Sequence, residues 1–173
     1  MLIQNFGSLE KYQKIAVFDR DNTLIHDSGY TYRVEDLKWI GGSITALKWL
    51  TEKGIGLVVA TNQSGISRGF FTENHVFNFH RNMNEELASH GVQIDVFVIC
   101  PHLPASNLEF CKCRKPNPGM IEFIKEQSTS AKQIVLFGDR DSDYMAAKNA
   151  RIEGFLLDSK KSLDALVKEV FEQ

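Results

Sequence analysis

Residues 15–23 read Ile-Ala-Val-Phe-Asp-Arg-Asp-Asn-Thr: four apolar residues, then two acids that flank a single arginine. The apolar run is typical of a short buried strand. Asp19 and Asp21 therefore follow the carboxyl end of a strand, where open α/β sheets build their sites. Two carboxylates this close repel each other unless a cation compensates them. The same pattern is often only a turn or a helix cap, so its meaning depends on the rest of the chain.

Composition points to an ordinary globular protein. The chain has 173 residues and a net charge of −2, which predicts one domain over residues 1–173 and offers no basic surface for nucleic acid or an anionic membrane. No apolar run approaches the length of a membrane span, and Met1–Tyr12 lacks the pattern of a signal peptide. We therefore expect a cytoplasmic protein that binds neither nucleic acid nor membrane. The oligomeric state stays open.

Strand-like and helix-like segments alternate along the chain, which is the signature of a parallel sheet with crossover helices. This pattern predicts an α/β fold, a Rossmann-like doubly wound parallel sheet. The predicted strands are 15–18, 55–60, 96–99, 134–137 and 155–157, and the predicted helices are 43–53 (capped by Ser43), 72–90 (capped by Thr72), one starting at Asn117-Pro118, 142–149, and a last one opened by Ser162. The segment Tyr30-Thr31-Tyr32 is compatible with a small hairpin.

Groups of polar residues follow the first, second and fourth predicted strands. They are Asp19 and Asp21, then Thr61-Asn62-Gln63-Ser64, and then Gly138-Asp139 with Arg140 to Asp143. In a parallel sheet these positions share one edge, so residues distant in sequence converge there. Hydroxyls and backbone N–H groups after a strand suit a phosphate. The pair Arg114-Lys115 adds positive charge just before a helix, although such a pair by itself is usually solvated surface.

The ordered set Asp-x-Asp-x-Thr, Thr, Lys and Gly-Asp-x-x-x-Asp resembles the haloacid dehalogenase (HAD) superfamily over roughly residues 14 to 157. The matching residues here are Asp19, Asp21, Thr23, Thr61, Lys115, Asp139 and Asp143. The resemblance implies that Asp19 attacks phosphorus to form an aspartyl-phosphate, while Asp21 acts as acid and then as base. It also implies Mg²⁺ held by Asp19, the backbone carbonyl of Asp21, and Asp139, with Thr61 and Lys115 stabilising the phosphoryl oxygens. Whether Asp143 joins the metal site or caps a helix stays open.

All three cysteines of the chain lie between positions 100 and 113, as Cys100-Pro101-His102 and Cys111-Lys112-Cys113. An odd, clustered number of cysteines is not a disulfide framework and suggests metal. Three thiolates and one imidazole form the four-ligand set of a closed structural zinc site. We expect Zn²⁺ at Cys100, His102, Cys111 and Cys113, where it would fold the loop that delivers Arg114 and Lys115.

The zinc ligands narrow the resemblance to capless zinc-containing phosphatases, the group of the heptose bisphosphate and histidinol-phosphate phosphatases. Only 37 residues separate Thr23 from Thr61 and 53 separate Thr61 from Lys115, so neither interval has room for a cap domain. Several motifs are more similar to the heptose branch. By that likeness the substrate is contacted by Asp27, Ser28, Gly29, Tyr30, Thr61, Asn62, Gln63, Ser64, Arg114, Lys115 and Arg140. Asn22 replaces the usual glycine of the first motif, and because asparagine also tolerates a left-handed φ, we expect the turn to survive.

The sequence therefore predicts a Mg²⁺-dependent phosphatase with structural zinc. The predicted substrate is a small sugar phosphate, and the predicted reaction is removal of the 7-phosphate from D-glycero-D-manno-heptose 1,7-bisphosphate. Histidinol phosphate is the alternative substrate. A phosphate-binding or scaffold protein that kept the fold without turnover is the alternative of another class, although binding alone would not require both Asp19 and Asp21.

Overall fold

A six-stranded sheet with helices on both faces is the framework of the chain. The computed structural model describes residues 1–104, 111–158 and 160–172. The elements within these ranges are β1 (Leu2–Asn5), β2 (Lys14–Phe18), a 3-10 turn (Val34–Asp36), α1 (Ser43–Glu52), β3 (Gly56–Asn62), α2 (Glu73–Ala88), β4 (Val96–Cys100), α3 (Gly119–Glu126), β5 (Gln133–Gly138), α4 (Asp141–Asn149), β6 (Glu153–Leu156) and α5 (Leu163–Phe171). The strand order is β1-β4-β3-β2-β5-β6. The predicted α/β fold is thereby confirmed, and the described residues contain no cap domain.

The five predicted strands correspond to β2–β6, which pair in parallel. The prediction missed β1, which pairs antiparallel with β4 at the sheet edge, with Leu2 opposite Ile99. Only four residues long and mostly half-buried, β1 gives a weak hydrophobic pattern in the sequence. The sheet is therefore parallel apart from this edge strand.

The predicted hairpin at Tyr30–Tyr32 is wrong. Residues 30–32 form no strand, and Tyr30 has a φ of 61°, outside the strand region. The local pairing is made instead by Ile25, in isolated bridges to Asp21 and Trp39. Asn22 has φ 56°, as expected for a residue in the place of a glycine, and its Oδ1 accepts a hydrogen bond from Asp27 N (3.1 Å). The turn after Asp21 is thus preserved.

Alternation along the central strands divides the core between the two faces of the sheet. Ala16 and Phe18 of β2 belong to a buried cluster with residues of α1, α2 and α5, whereas Ile15 and Val17 belong to a second cluster with residues of α3 and α4. Complete burial of all four side chains is typical of a strand covered on both faces. This packing fixes β2 in the centre of the molecule, and with it the position of the acids that follow.

Two of the predicted helix starts have different outcomes. Thr72 caps α2 as predicted, its Oγ1 accepting from His75 N at 3.4 Å. Ser43 does not cap α1: it is the first helical residue, and its hydroxyl donates to Thr23 O at 3.4 Å while Gly42 (φ 91°) takes the cap position. No helix among the described residues is long and apolar enough to cross a membrane.

Candidate active site

The carboxyl ends of three neighbouring strands build the candidate site. Because β2 lies between β3 and β5, the residues after Phe18, Asn62 and Gly138 meet at one edge of the sheet. Asp19 continues the ladder, its N–H donating to Phe137 O at 2.8 Å. The polar residues that the sequence placed after strands one, two and four therefore come together as predicted.

Asp19 is the most deeply buried acid of the first motif, with 7% of its surface exposed. The pKa of Asp19 is raised to about 7, chiefly by burial. The Lys115 ammonium lowers this pKa, whereas the negative charges of Asp143 and Asp21 raise it. Asp19 Oδ1 lies 2.8 Å from Lys115 Nζ. A buried carboxylate in contact with a cation at the mouth of a pocket has the setting of a nucleophile.

Lys115 is the centre of the charged network. Its Nζ lies 2.8 Å from Asp19 Oδ1 and 2.6 Å from Asp143 Oδ1, and it donates to Ala60 O at 2.7 Å. Burial would lower the pKa of this lysine, but attraction to Asp19 and Asp143 outweighs it, and the pKa is raised. Asn62 fixes the lysine backbone: its Oδ1 accepts from Lys115 N and its Nδ2 donates to Lys115 O, both at 3.1 Å. The loop before α3 is thereby locked onto the end of β3.

Asp21 faces the same pocket but belongs to a different set of contacts. Arg20 Nε donates to its Oδ1 at 2.8 Å, and Gln63 Nε2 donates to its Oδ2 at 2.7 Å. Gln63 also donates to Thr61 Oγ1 at 2.9 Å. Thr61 is fully buried and is not among the residues that line the pocket. The Asp21 side chain is thus separate from the acids that surround Lys115.

Asp139 and Asp143 bring further oxygen ligands to Asp19. One carboxylate oxygen of each of these three acids lies within 4.8 Å of the others. Of the two roles that the sequence left open for Asp143, the structure shows the helix cap, because its Oδ2 accepts from Arg140 N at the start of α4 (3.0 Å). Its Oδ1 lies 2.6 Å from Lys115 Nζ. Burial, and then the charge of Asp143, raise the pKa of Asp139.

This acidic group fits a hard divalent cation. Asp139 Oδ1 is buried and has no hydrogen-bond partner among the described residues. Buried oxygen atoms without a donor, carried by several carboxylates, are the ligands that Mg²⁺ prefers. Of the predicted magnesium ligands, Asp19 and Asp139 lie together as expected, while the Asp21 carboxylate is held by other groups, which agrees with a contribution from its backbone carbonyl only.

A pocket of about 630 Å³ opens above these residues. It is lined by the predicted site residues Asp19, Asp21, Asp27, Gly29, Tyr30, Asn62, Gln63, Ser64, Arg114, Lys115 and Arg140. Three predicted site residues, Ser28, Thr61 and Asp139, are absent from the lining. The lining also includes Arg68, Pro104, Pro116, Ser142 and Asp143, none of which was predicted to contact the substrate. Arg68 lies in the loop after β3, within a motif that resembles the heptose branch, but that motif assigned it no role.

The loop of residues 27–32 forms one wall of the pocket. Asp27 Oδ1 accepts from both Thr31 N (3.0 Å) and Thr31 Oγ1 (2.7 Å). Burial would raise the pKa of Asp27, but the hydrogen bonds from Thr31 outweigh it and lower the pKa. This closed turn presents Gly29 and Tyr30 to the pocket, where 42% of the Tyr30 surface is exposed. Tyr30 packs edge-on against Phe70, with the ring centroids 4.9 Å apart.

The four predicted zinc ligands lie close enough to surround one ion. Sγ of Cys100 is 3.5 Å from His102 Nδ1 and 3.7 Å from Cys111 Sγ, and Cys113 Sγ is 3.6 Å from Cys111 Sγ. A tetrahedron with metal–sulfur bonds of about 2.3 Å has edges of about 3.8 Å, so this spacing fits a closed site. Arg114 N donates to Cys111 Sγ at 3.3 Å, which joins the cluster to the residue before Lys115. Residues 105–110, between the two halves of the cluster, lie outside the described residues.

Comparison with known proteins agrees with this geometry. Residues 14–153 match the family model described as polynucleotide kinase 3 phosphatase. The chain is 40% identical over 149 residues to the D-glycero-beta-D-manno-heptose-1,7-bisphosphate 7-phosphatase of Pasteurella multocida, covering 83% of this chain and 81% of that protein. It is 38% identical over 145 residues to the protein of that name from Escherichia coli, covering 79% and 75%.

Solved structures give the same result. The D,D-heptose 1,7-bisphosphate phosphatase from B. bronchiseptica, complexed with magnesium and phosphate, superimposes with a TM-score of 0.78 at 26% identity, covering 92% of this chain and 98% of that one. A HAD-like phosphatase from Mesorhizobium loti superimposes with a TM-score of 0.83 at 24% identity, covering 97% and 91%, and supports the fold alone. The chain therefore belongs to the polynucleotide kinase 3 phosphatase family of HAD-type phosphatases, and its relatives include heptose bisphosphate 7-phosphatases.

Proposed function

We propose that this protein is a Mg²⁺-dependent phosphatase that removes the 7-phosphate of D-glycero-D-manno-heptose 1,7-bisphosphate. The observation that carries the proposal is the convergence of Asp19, Asp21 and Lys115 on one pocket at the carboxyl edge of the sheet, with Asp139 grouped beside Asp19. The names of the relatives support the substrate. Retention of both Asp19 and Asp21 argues for turnover rather than for phosphate binding alone.

The proposed reaction has two displacements at phosphorus. Asp19 attacks phosphorus and the bond to the ester oxygen breaks, while Asp21 gives that oxygen its proton. Asp21 then takes a proton from water as the water attacks the aspartyl-phosphate, which releases inorganic phosphate and regenerates Asp19. Lys115 neutralises charge on the phosphoryl oxygens. Thr61 supports the site from beneath the pocket, where its buried hydroxyl accepts from Gln63 Nε2 (2.9 Å).

Mg²⁺ is the cofactor that we assign to the acidic group. Asp19, the backbone carbonyl of Asp21, and Asp139 would hold it. When bound, it supplies positive charge that offsets both the carboxylates and the phosphate. Asp143 supports the site by orienting Lys115, since its Oδ1 lies 2.6 Å from Nζ.

Zn²⁺ is the metal that we assign to Cys100, His102, Cys111 and Cys113. Thiolates are soft ligands that suit zinc and not Mg²⁺. The cluster is connected to the pocket twice, because Arg114 donates through its N–H to Cys111 Sγ and through Nη1 to His102 O (3.0 Å). Zinc binding would therefore hold Arg114 and Lys115 in place. Three free thiols with such a role suit a reducing compartment, which supports a cytoplasmic location.

Substrate choice follows from the charges at the pocket rim. Arg114 and Arg140 line the pocket beyond Lys115 and suit a second phosphate, whereas they oppose the ammonium group of histidinol phosphate. Asp27 was the one residue of the loop able to favour that ammonium group, and its Oδ1 already accepts two hydrogen bonds from Thr31. The balance therefore favours a small sugar bisphosphate.

The test compares kcat/KM for heptose 1,7-bisphosphate with that for histidinol phosphate, each with and without Mg²⁺. We expect much higher kcat/KM for the bisphosphate, with release of the 7-phosphate, and dependence on Mg²⁺ for both. A preference for histidinol phosphate would assign the protein to the other branch. Absence of turnover on any phosphomonoester, with phosphate still bound, would support the non-catalytic alternative.

A further inference from the structure

Arg20, the residue between the two acids, is completely buried. A guanidinium keeps its charge in the interior, so burial is tolerated only where fixed partners satisfy it. Here Nε donates to Asp21 Oδ1 (2.8 Å), and Nη2 donates to Asp21 Oδ2 (3.1 Å) and to Thr31 O (2.7 Å). The planar group also lies 4.9 Å from the centre of the Phe79 ring. Arg20 is thus held on several sides and has no access to the pocket.

The Arg20 contacts remove the rotational freedom of the Asp21 carboxylate. The guanidinium donates hydrogen bonds to both carboxylate oxygens, and Gln63 Nε2 is a third donor, to Oδ2 (2.7 Å). Asp21 nevertheless lines the pocket, and 17% of its side chain is exposed. A bidentate fork fixes the plane of a carboxylate, which a lysine ammonium cannot do.

His80 of α2 supports Arg20 from the side away from the pocket. Its Nε2 lies 3.4 Å from Arg20 Nη1, and its ring stacks on Phe97 with the centroids 4.2 Å apart. Burial, and then the charge on Arg20, hold the pKa of His80 well below its ordinary value, so that the ring is neutral. With Nε2 accepting from Arg20, the proton belongs on Nδ1, which has no hydrogen-bond partner among the described residues. Leaving this buried donor unpaired destabilises the tautomer, and the contact between Nε2 and Arg20 offsets that cost.

The bond from Arg20 to Thr31 O extends the network to the pocket wall. Thr31 is 4% exposed, and its N–H and hydroxyl close the turn through Asp27 Oδ1. Gly29 and Tyr30 are the residues of that turn that face the pocket, and Thr31 links their turn to the guanidinium. One side chain consequently fixes both the Asp21 carboxylate and the loop of residues 27–32.

We propose that Arg20, supported by His80, is the positioning residue that orients Asp21 for proton transfer and sets its place relative to the loop of residues 27–32. This inference rests on the proposed function, in which Asp21 protonates the departing oxygen. Arg20 touches neither the substrate nor the reacting atoms, so its effect is indirect. Its loss should therefore impair the steps that need a proton more than those that do not.

The test is the ratio of kcat/KM for an alkyl phosphate to that for p-nitrophenyl phosphate, measured with Arg20→Lys. The alkyl oxygen needs a proton to leave and the nitrophenolate does not, and kcat/KM reports the steps up to its departure. We expect the alkyl ester to lose about tenfold or more beyond the loss on the aryl ester, within the 10²–10⁴-fold that acid catalysis supplies. Arg81→Lys, an exposed arginine of the same helix as His80, should leave the ratio unchanged.

Asp21→Asn separates this inference from the proposed function. If Asp21→Asn shows no preferential loss on the alkyl ester, the proposed role of Asp21 fails; if it does and Arg20→Lys impairs both esters equally, the positioning role fails. In the Asp21→Asn background, Arg20→Lys should have no further effect on the ratio, because the two residues act as a unit.

If Arg20→Lys does not fold, His80→Phe is the alternative variant, because it keeps the stacking on Phe97 and removes the acceptor for Arg20. It should shift the ratio severalfold in the same direction, and an unchanged ratio would overturn the proposal.

Discussion

Replacing Lys115 by methionine is the sharpest test of the charge balance in this site, because two buried carboxylates share that ammonium group. The side chains of Lys115 and Asp143 are 2% and 1% exposed, and Nζ lies within 2.8 Å of an oxygen of both Asp19 and Asp143. Removing one partner of a buried ion pair costs about 3–5 kcal/mol. In a protein of this size each 1 kcal/mol lowers Tm by about 2–4 °C. We therefore expect the free energy of unfolding to fall by about 3–5 kcal/mol and Tm by about 6–20 °C.

The assay is urea unfolding followed by circular dichroism without added Mg²⁺, since a divalent cation would offset the same carboxylate charge. Lys125→Met is the matched control: within the described part of the chain, Lys125 Nζ donates only to Ala150 O (3.0 Å), so about 1 kcal/mol or less should be lost. Adding Asp143→Asn to Lys115→Met should recover part of the loss, because one uncompensated carboxylate disappears while the acceptor for Arg140 N remains. Equal losses for the two lysine variants, or a further loss on adding Asp143→Asn, would refute this account of the site.

Three further changes test the other assignments. Asp19→Asn should reduce turnover below a hundredth of wild type with the melting curve intact, and activity above that level would remove Asp19 as the nucleophile. Cys111→Ser should lower both the zinc content, expected at about one per chain by elemental analysis, and the melting temperature; a metal-free wild type of unchanged stability would contradict the zinc site. Arg114→Ala should reduce kcat/KM more for a sugar bisphosphate than for its monophosphate, with zinc content as the control, and equal losses would exclude a second-phosphate role.

The elements of this fold were predictable where local pattern and burial agree. The runs Ile15–Phe18 and Ile134–Phe137 are apolar throughout because helices cover both faces of the sheet, and they appear as β2 and β5. Leu2–Asn5 pairs only at the sheet edge, and its half-burial leaves no such pattern. The error at Tyr30–Tyr32 has another cause: strand propensity reads the aromatic and threonine side chains, whereas the left-handed backbone of Tyr30 decides the conformation.

The candidate site was predictable in its ligands and much less in its supporting contacts. The Cys/His cluster that could hold a metal ion was predictable from spacing, because the Cys-x-His and Cys-x-Cys segments supply four ligands once they lie side by side. Arg20 carried no such signal. The proposed role of Arg20 depends on its contact with His80, sixty positions later in the chain. Arg20 and His80 meet only because α2 packs against β4 and against the loop after β2. Arg68 is a similar case, because its motif resembles the heptose branch without assigning it a role, and only the folded loop after β3 brings it to the pocket.

The negative charge of the site explains the need for both Lys115 and the proposed Mg²⁺. The three acids Asp19, Asp139 and Asp143 lie close together. Two cations compensate them: Lys115 pairs with Asp19 and Asp143, and Arg140 Nε lies 3.8 Å from Asp139 Oδ2. The fully ionised group therefore carries a surplus of negative charge. Burial already raises the pKa of Asp19 and of Asp139. A phosphate ester brings still more negative charge into this low-dielectric pocket, which costs more than binding returns unless a cation enters with it. Removing Lys115 and withholding Mg²⁺ should therefore have effects that reinforce each other, and added Mg²⁺ should restore more stability to Lys115→Met than to wild type.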